Sequence, residues 1–193
     1  MYNITLTEQE VRIYSQWLKK NRMYKGMNLP LGNPWESWMQ DTIDKLQHAL
    51  MSKYIHPATV EAALRVASNL LPDDYREVKE GHGHDPLNAL VVGVNNSDSV
   101  YFTNPDNEIC GIAGVYEGGQ IWMLCTPAIL TFPHTFAREA KRYVNSRQDK
   151  LLWNFVDKRN KVHIKLLRFL GFKFLREFPY GPNNLSFIEF CRV

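Results

Sequence analysis

The segment Leu151–Phe174, LLWNFVDKRNKVHIKLLRFLGFKF, constrains the fold more than any other part of this chain. Trp153, Phe155 and Val156 make a short apolar run that reads as a buried strand. Asn160 punctuates it, and Ile164, Leu167 and Leu170 then recur at helical spacing with Lys161, Lys165 and Arg168 between them. Gly171 supplies the left-handed turn that ends a helix, and Phe172 and Phe174 restart an extended strand.

Upstream, LTEQEV reads as a capping box in which Thr7 accepts from the Glu10 amide while the Glu10 carboxylate reaches back. The helix it starts runs to about Asn21 and places Val11, Tyr14, Trp17 and Leu18 on one face. Gly26 to Gly32 is a loop. Asn33 followed by Pro34 is a second start signal, after which Trp35, Trp38, Met39, Ile43, Leu46 and Leu50 trace another apolar face. Residues 1–53 are therefore expected to form a helical hairpin, and residues 54–193 a second unit. In the second unit Tyr54–Thr59 reads as a strand, and Val60–Leu71 as a helix with Ala62, Ala63, Val66, Ala67 and Leu70 inward, ended by Pro72. Asp73–Val78 reads as a short helix, EGHGHDP as a loop, and Leu87–Trp122 as a meander of antiparallel strands separated by NNSD, NPDN and EGG turns. Helices, then strands, then a helix between strands make a mixed α/β (α+β) domain.

The three cysteines, Cys110, Cys125 and Cys191, are odd in number and without C-x-x-C spacing, which argues against a disulfide framework and a zinc site and for a reducing compartment. Met1–Leu18 carries Glu8, Glu10 and Arg12 among its apolar residues, so it does not read as a secretory signal, and no window has the roughly 20 apolar residues of a membrane helix. Host cytoplasm or a particle assembled there is the expected location, without secretion. The net charge is only +3, but the basic residues concentrate between Arg138 and Arg176. Such a field suits a phosphorylated cofactor, nucleic acid or an acidic protein, and equally the solvated faces of two amphipathic helices.

Asn160, Leu166, Gly171 and Phe172 fit the pattern N-x-x-A-x-x-L-Y-x-x-x-G-F, and in this the chain resembles the closing segment of GNAT-fold acyltransferases. His163 stands at the alanine and Leu167 at the tyrosine. From about Tyr54 onward, ICGIAGV, IWMLCTPAIL, FAREAKRYV and LLWNFVDKRN look like GNAT-like proteins of tailed phages, including internal virion proteins of short-tailed phages. The resemblance implies a mainly antiparallel sheet flanked by helices, with the helical hairpin added in front. It also implies an acid at the tyrosine position that protonates the departing coenzyme A thiolate; Leu167 has no proton to give.

In the family a loop of pattern R/Q-x-x-G-x-G/A cradles the cofactor pyrophosphate, because close phosphate approach needs glycine and a helix N-terminus supplies positive charge. Cys125–Lys141, CTPAILTFPHTFAREAK, stands in its place with no glycine, and Pro133 removes one amide donor. If acyl-CoA binds, the residues implied are Met123, Cys125, Thr131, His134, Thr135, Arg138 and Asn160, with Lys141 behind. The competing expectation is that Ile129, Leu130, Phe132 and Phe136 fill the groove. Glu80, His82 and Glu108 are candidate bases. His82, His84 and Asp85 resemble a small metal cluster but lack further ligands of fixed geometry, so no metal is expected. Cys125 reads as a small buried residue rather than a nucleophile, His163 as packing or surface, and Trp153, Phe155, Phe169 and Phe172 as core.

The resemblance and these departures from it point to a noncatalytic GNAT-fold phage protein, a pseudoenzyme associated with the virion or its ejected contents and needing no cofactor. Its expected partners are other virion proteins, or itself through the N-terminal helices, with nucleic acid a lesser expectation. The alternative is an active acetyl-CoA-dependent N-acetyltransferase acting on a host or phage protein.

Overall fold

The computed structural model describes residues 53–193, so the helical hairpin expected over residues 1–53 falls, Lys53 apart, outside the described residues. The strands are β1 (Ile55–Pro57), β2 (Asp98–Thr103), β3 (Ile109–Val115), β4 (Ile121–Cys125), β5 (Leu152–Asp157), β6 (Lys173–Tyr180) and β7 (Leu185–Arg192). The α-helices are α1 (Val60–Ala67), α2 (Pro72–Arg76), α3 (Pro86–Asn96), α4 (Pro133–Ser146) and α5 (Lys161–Phe169). Strands β1-β2-β3-β4 form one antiparallel sheet and β5-β7-β6 a second. This is the mixed α/β class read from the sequence.

Each sheet is positioned by what covers it. In β3, ICGIAGV, every residue after Ile109 is buried, because both faces of the first sheet are covered. Ile112 packs with Ala62, Ala63 and Val66 of α1 and Leu90 of α3 on one face. On the other, Cys110 and Ala113 meet Ile129, Phe132 and Phe136 from the segment leading into α4. Val144 of α4 and Ile164 of α5 pack with Leu152, Val156 and Phe190 of the second sheet. Asn160 caps α5 by accepting from the His163 amide at 3.2 Å, and Gly171 ends it at φ +88°, as the local sequence requires.

Three readings are corrected here. Pro86–Asn96 is a helix, not the first part of a strand meander, because Asp85 accepts from the Asn88 amide as N-cap and Pro86 occupies the first helical position. Pro72 opens α2 rather than only ending α1, which stops at Ala67. Phe169 is 50% exposed on the outer face of α5, so it is not core.

The two sheets meet at the β3–β4 turn. Gly119 has φ +84°, its carbonyl accepts from the Trp153 amide at 3.0 Å, and an added Cβ would fall on the carbonyl oxygen of Leu151. Gly119→Ala is expected to cost about 2 kcal/mol or more, from strain and loss of this junction. Urea unfolding measures it, and a midpoint equal to that of the parent chain would contradict the assignment.

Candidate functional site

Strands β4 and β5 run side by side from the parallel bridge between Gln120 and Trp153 and then separate into different sheets. At the narrow end the Asn154 side chain spans them, its Nδ2 donating to the Ile121 carbonyl at 2.7 Å and its Oδ1 accepting from the Phe155 amide at 2.9 Å. Beyond it lies a cavity of about 280 Å³, walled by Met123, Phe155, Phe132 and Phe136, by Glu139 of α4 and by Leu166 and Leu167 of α5. The groove is therefore not filled, contrary to expectation. Ile129, Phe132 and Phe136 fold onto the first sheet instead, and Leu130 is 58% exposed.

The wide end is closed by a polar cluster drawn from α2, the π-helical turn Glu77–Gly81 that follows it, β4 and α5. Asp74 of α2 is 1% exposed and accepts from the Cys125 amide at 2.7 Å and from Asn160 Nδ2 at 3.1 Å. The Leu71 amide donates to the Cys125 carbonyl at 2.8 Å. Both backbone groups that Cys125 turns away from β3 are thus paired within the chain. Alternation along β4 turns the same groups of Met123 toward the cavity, and they have no partner among the described residues.

Asn160 Nδ2 also lies 3.1 Å from Glu77 Oε2 and 3.2 Å from His163 Nδ1. Two amide hydrogens thus face three acceptors. Burial pushes the Glu77 carboxyl up to about 7, against the lowering effect of His163 and Asn160 and with the help of Asp74 and Asp157. A carboxyl that is part protonated near neutral pH, on the wall of a cavity, has the chemistry of an acid or base. With Nδ1 accepting, the His163 proton sits on Nε2, which is buried 3.6 Å from Asp74 Oδ1 without a hydrogen bond. His163 is therefore a member of this cluster, not packing or surface.

Asp74, Cys125 and His163 offer three potential metal ligands within 4.8 Å of one another. Asp74 and His163 of this group are both engaged by the Asn160 side chain, and Asp74 by the Cys125 amide. Burial, then Asp74 and Cys110, raise the Cys125 thiol well above its ordinary value, which keeps it protonated and unfit as a nucleophile.

The other sequence candidates are scattered. Glu80 is paired with Arg159 at 2.9 Å, Glu108 accepts from Asn104 at 3.1 Å, and Asp85 is the α3 cap. His82 reaches the cavity wall stacked on Phe155, and burial followed by His84 lowers it to about 4, so it is neutral at physiological pH. The Thr131 hydroxyl donates to the Ala128 carbonyl at 2.8 Å, inside the short 3₁₀ turn Pro127–Thr131 that stands where a glycine loop would be. His134 and Thr135 follow Pro133 in the first turn of α4, and Arg138 lies 3.6 Å from the buried Glu139. Asp74 and Glu77 were missed by sequence reasoning, which placed them on a short helix without a role. Pro72 at the helix start was the available signal, because it fixes the turn from which both project.

A family model described as Bacteriophage T7, probable scaffold protein Gp13, matches residues 100–179, from β2 into β6. No curated protein matches the sequence. Among solved structures, a GNAT-family acetyltransferase from Bacillus anthracis has a TM-score of 0.55 at 11% identity, over 72% of this chain and 93% of that one. Spermidine N-acetyltransferase from Vibrio cholerae, in complex with CoA and spermine, gives 0.53 at 10% identity, covering 72% and 93%. A putative acetyltransferase from Salmonella typhimurium with its cofactor acetyl-CoA gives 0.51 at 14%, covering 73% and 94%. The fold is the GNAT fold. At such identities the likeness carries no activity.

Pro127 and Pro133 each lack an amide donor, the turn between them has no glycine, and the Cys125 amide and carbonyl are bonded to Asp74 and Leu71, while those of Met123 face the cavity.

Proposed function

We propose that this chain is a phage assembly or virion-associated protein built on the GNAT fold, without acyl-CoA transfer activity. The observation that carries the second half is the sealed edge of Cys125, whose amide and carbonyl are bonded to Asp74 and Leu71. Leu167 in the cavity wall, with no proton to donate, and the engagement of Asn160 with Asp74, Glu77 and His163 support it. Met123, Thr131, His134, Thr135 and Arg138 then hold no cofactor. The phage scaffold-family match supports the first half. On this reading the partner is another virion protein or a second copy, engaged through the helical hairpin read from residues 1–53, in the host cytoplasm or the particle.

Calorimetric titration of the full chain with acetyl-CoA is expected to show no heat, and the thermal midpoint no shift, at millimolar ligand; micromolar binding overturns the noncatalytic reading. The polypeptide is expected in purified particles, and its absence there overturns the virion assignment. One observation favours acyl transfer instead: the open cavity with Glu77 on its wall opposite the unpaired Met123 edge. The same titration separates the two readings.

A further inference from the structure

Two adjacent helices carry a cationic surface with no carboxylate exposed on either. On α4, Arg138, Lys141 and Arg142 lie on the outer face, and the helix's one acid, Glu139, is buried beneath them. On α5, Lys161, Lys165 and Arg168 are exposed and the helix contains no acid. The two stripes meet where Lys141 Nζ sits 4.8 Å over the Phe169 ring of α5.

Several other cations of this basic half are matched among the described residues, Lys150 and Lys173 excepted. Arg159 bonds Asp157 and Glu80, Lys158 bonds Glu177, and Arg176 bonds Glu189. On the α4–α5 face Arg138 and Arg142 share the single buried Glu139, Lys161 lies within electrostatic reach of Glu177, which Lys158 already bonds, and Lys141, Lys165 and Arg168 form no ion pair among the described residues. Mutual repulsion of unneutralised cations is relieved by a polyanion, and the long, mobile side chains reach a curved phosphate backbone without fixed geometry.

We propose that the α4–α5 face binds the phosphate backbone of double-stranded DNA without sequence preference. A duplex is favoured over an acidic polypeptide because the surface offers point charges repeated along two neighbouring helices. Phosphate contact is the mode proposed, because Phe169, half-exposed beneath Lys141, is the one Phe, Tyr or Trp ring exposed on these two helices.

Fluorescence anisotropy with a labelled duplex, using the full chain, tests this. If all six cations meet phosphates, affinity falls by about a thousandfold between 50 and 200 mM salt. Lys161→Gln, Lys165→Gln and Arg168→Gln together are expected to lower the salt slope by about 3, with the thermal midpoint unchanged. No retention at 50 mM salt, or a triple variant that binds like the parent, overturns the proposal. Equal affinity for polyglutamate of matched charge also overturns it, in favour of an acidic protein. Release of the duplex by micromolar CoA overturns it too, since the cations would then serve a cofactor. Release that needs only added salt supports it.

Discussion

Replacing Asp74 with alanine is expected to destabilise the domain by about 3–5 kcal/mol and to lower its thermal midpoint by roughly 10 °C. The carboxyl is 1% exposed and serves two buried donors, the Cys125 amide and the Asn160 side chain, which come from opposite sides of the cleft. Its removal leaves the buried Cys125 amide without its acceptor, at about 1–3 kcal/mol, and vacates a buried site that tied the two sides of the cleft, while Asn160 keeps Glu77 and His163. Asp74→Asn keeps one acceptor and is expected to lose about half as much. Chemical denaturation of the three chains measures the series. A loss below about 1 kcal/mol for Asp74→Ala would mean that the Cys125 edge finds another partner easily, and the sealed-edge account of the cleft would go with it.

The second large effect is a pH dependence owed to Glu77. Its carboxyl is raised from 4.5 to about 7 in the folded chain, so the folded state holds a proton that the unfolded state releases. Stability from this group is full below about 4.5 and is lost as the pH rises through about 7. The loss amounts to roughly 3 kcal/mol. His82 acts in the opposite sense, because its lowering from 6.5 to about 4 removes stability as the pH falls through that window. Between pH 4.5 and 6.5 the two therefore offset each other in the parent chain. Glu77→Gln exposes the difference: the variant is expected to match the parent near pH 4 and to exceed it by roughly 3 kcal/mol at pH 8. Urea unfolding across that range decides it. Parallel curves would show that Glu77 titrates normally, and the acid–base character of the cavity wall would fail.

The local features were legible because they act over a few residues. Asn160 as a cap and Gly171 as a stop set α5 by their own backbone and side-chain chemistry, and both are found in those roles. The NPDN and EGG turns between β2, β3 and β4 worked in the same way, whereas NNSD closes helix α3. Helix α3 was missed because LNALVVGV has the β-branched content of a buried strand, while its start signal, Asp85–Pro86, lies inside a stretch rich in turn residues. Phe169 was taken for core because helical spacing alone does not say how wide the buried stripe is.

The candidate site was legible only where something is missing. The glycine-free turn and the leucine at position 167 follow from reading residues one by one. The cluster does not, because Asn160 and Asp74 are 86 residues apart and His163 is neighbour to Glu77 only through the fold. By itself the sequence determined the order of elements from 151 to 174 and the glycine-free, proline-bearing make-up of Cys125–Lys141, since propensity, capping and proline chemistry are local. The tertiary structure alone decided that the cleft stays open, that its wide edge is sealed by Asp74, and that Glu77 holds its proton near neutrality. Burial and long-range pairing set those outcomes, and no short window of residues records either.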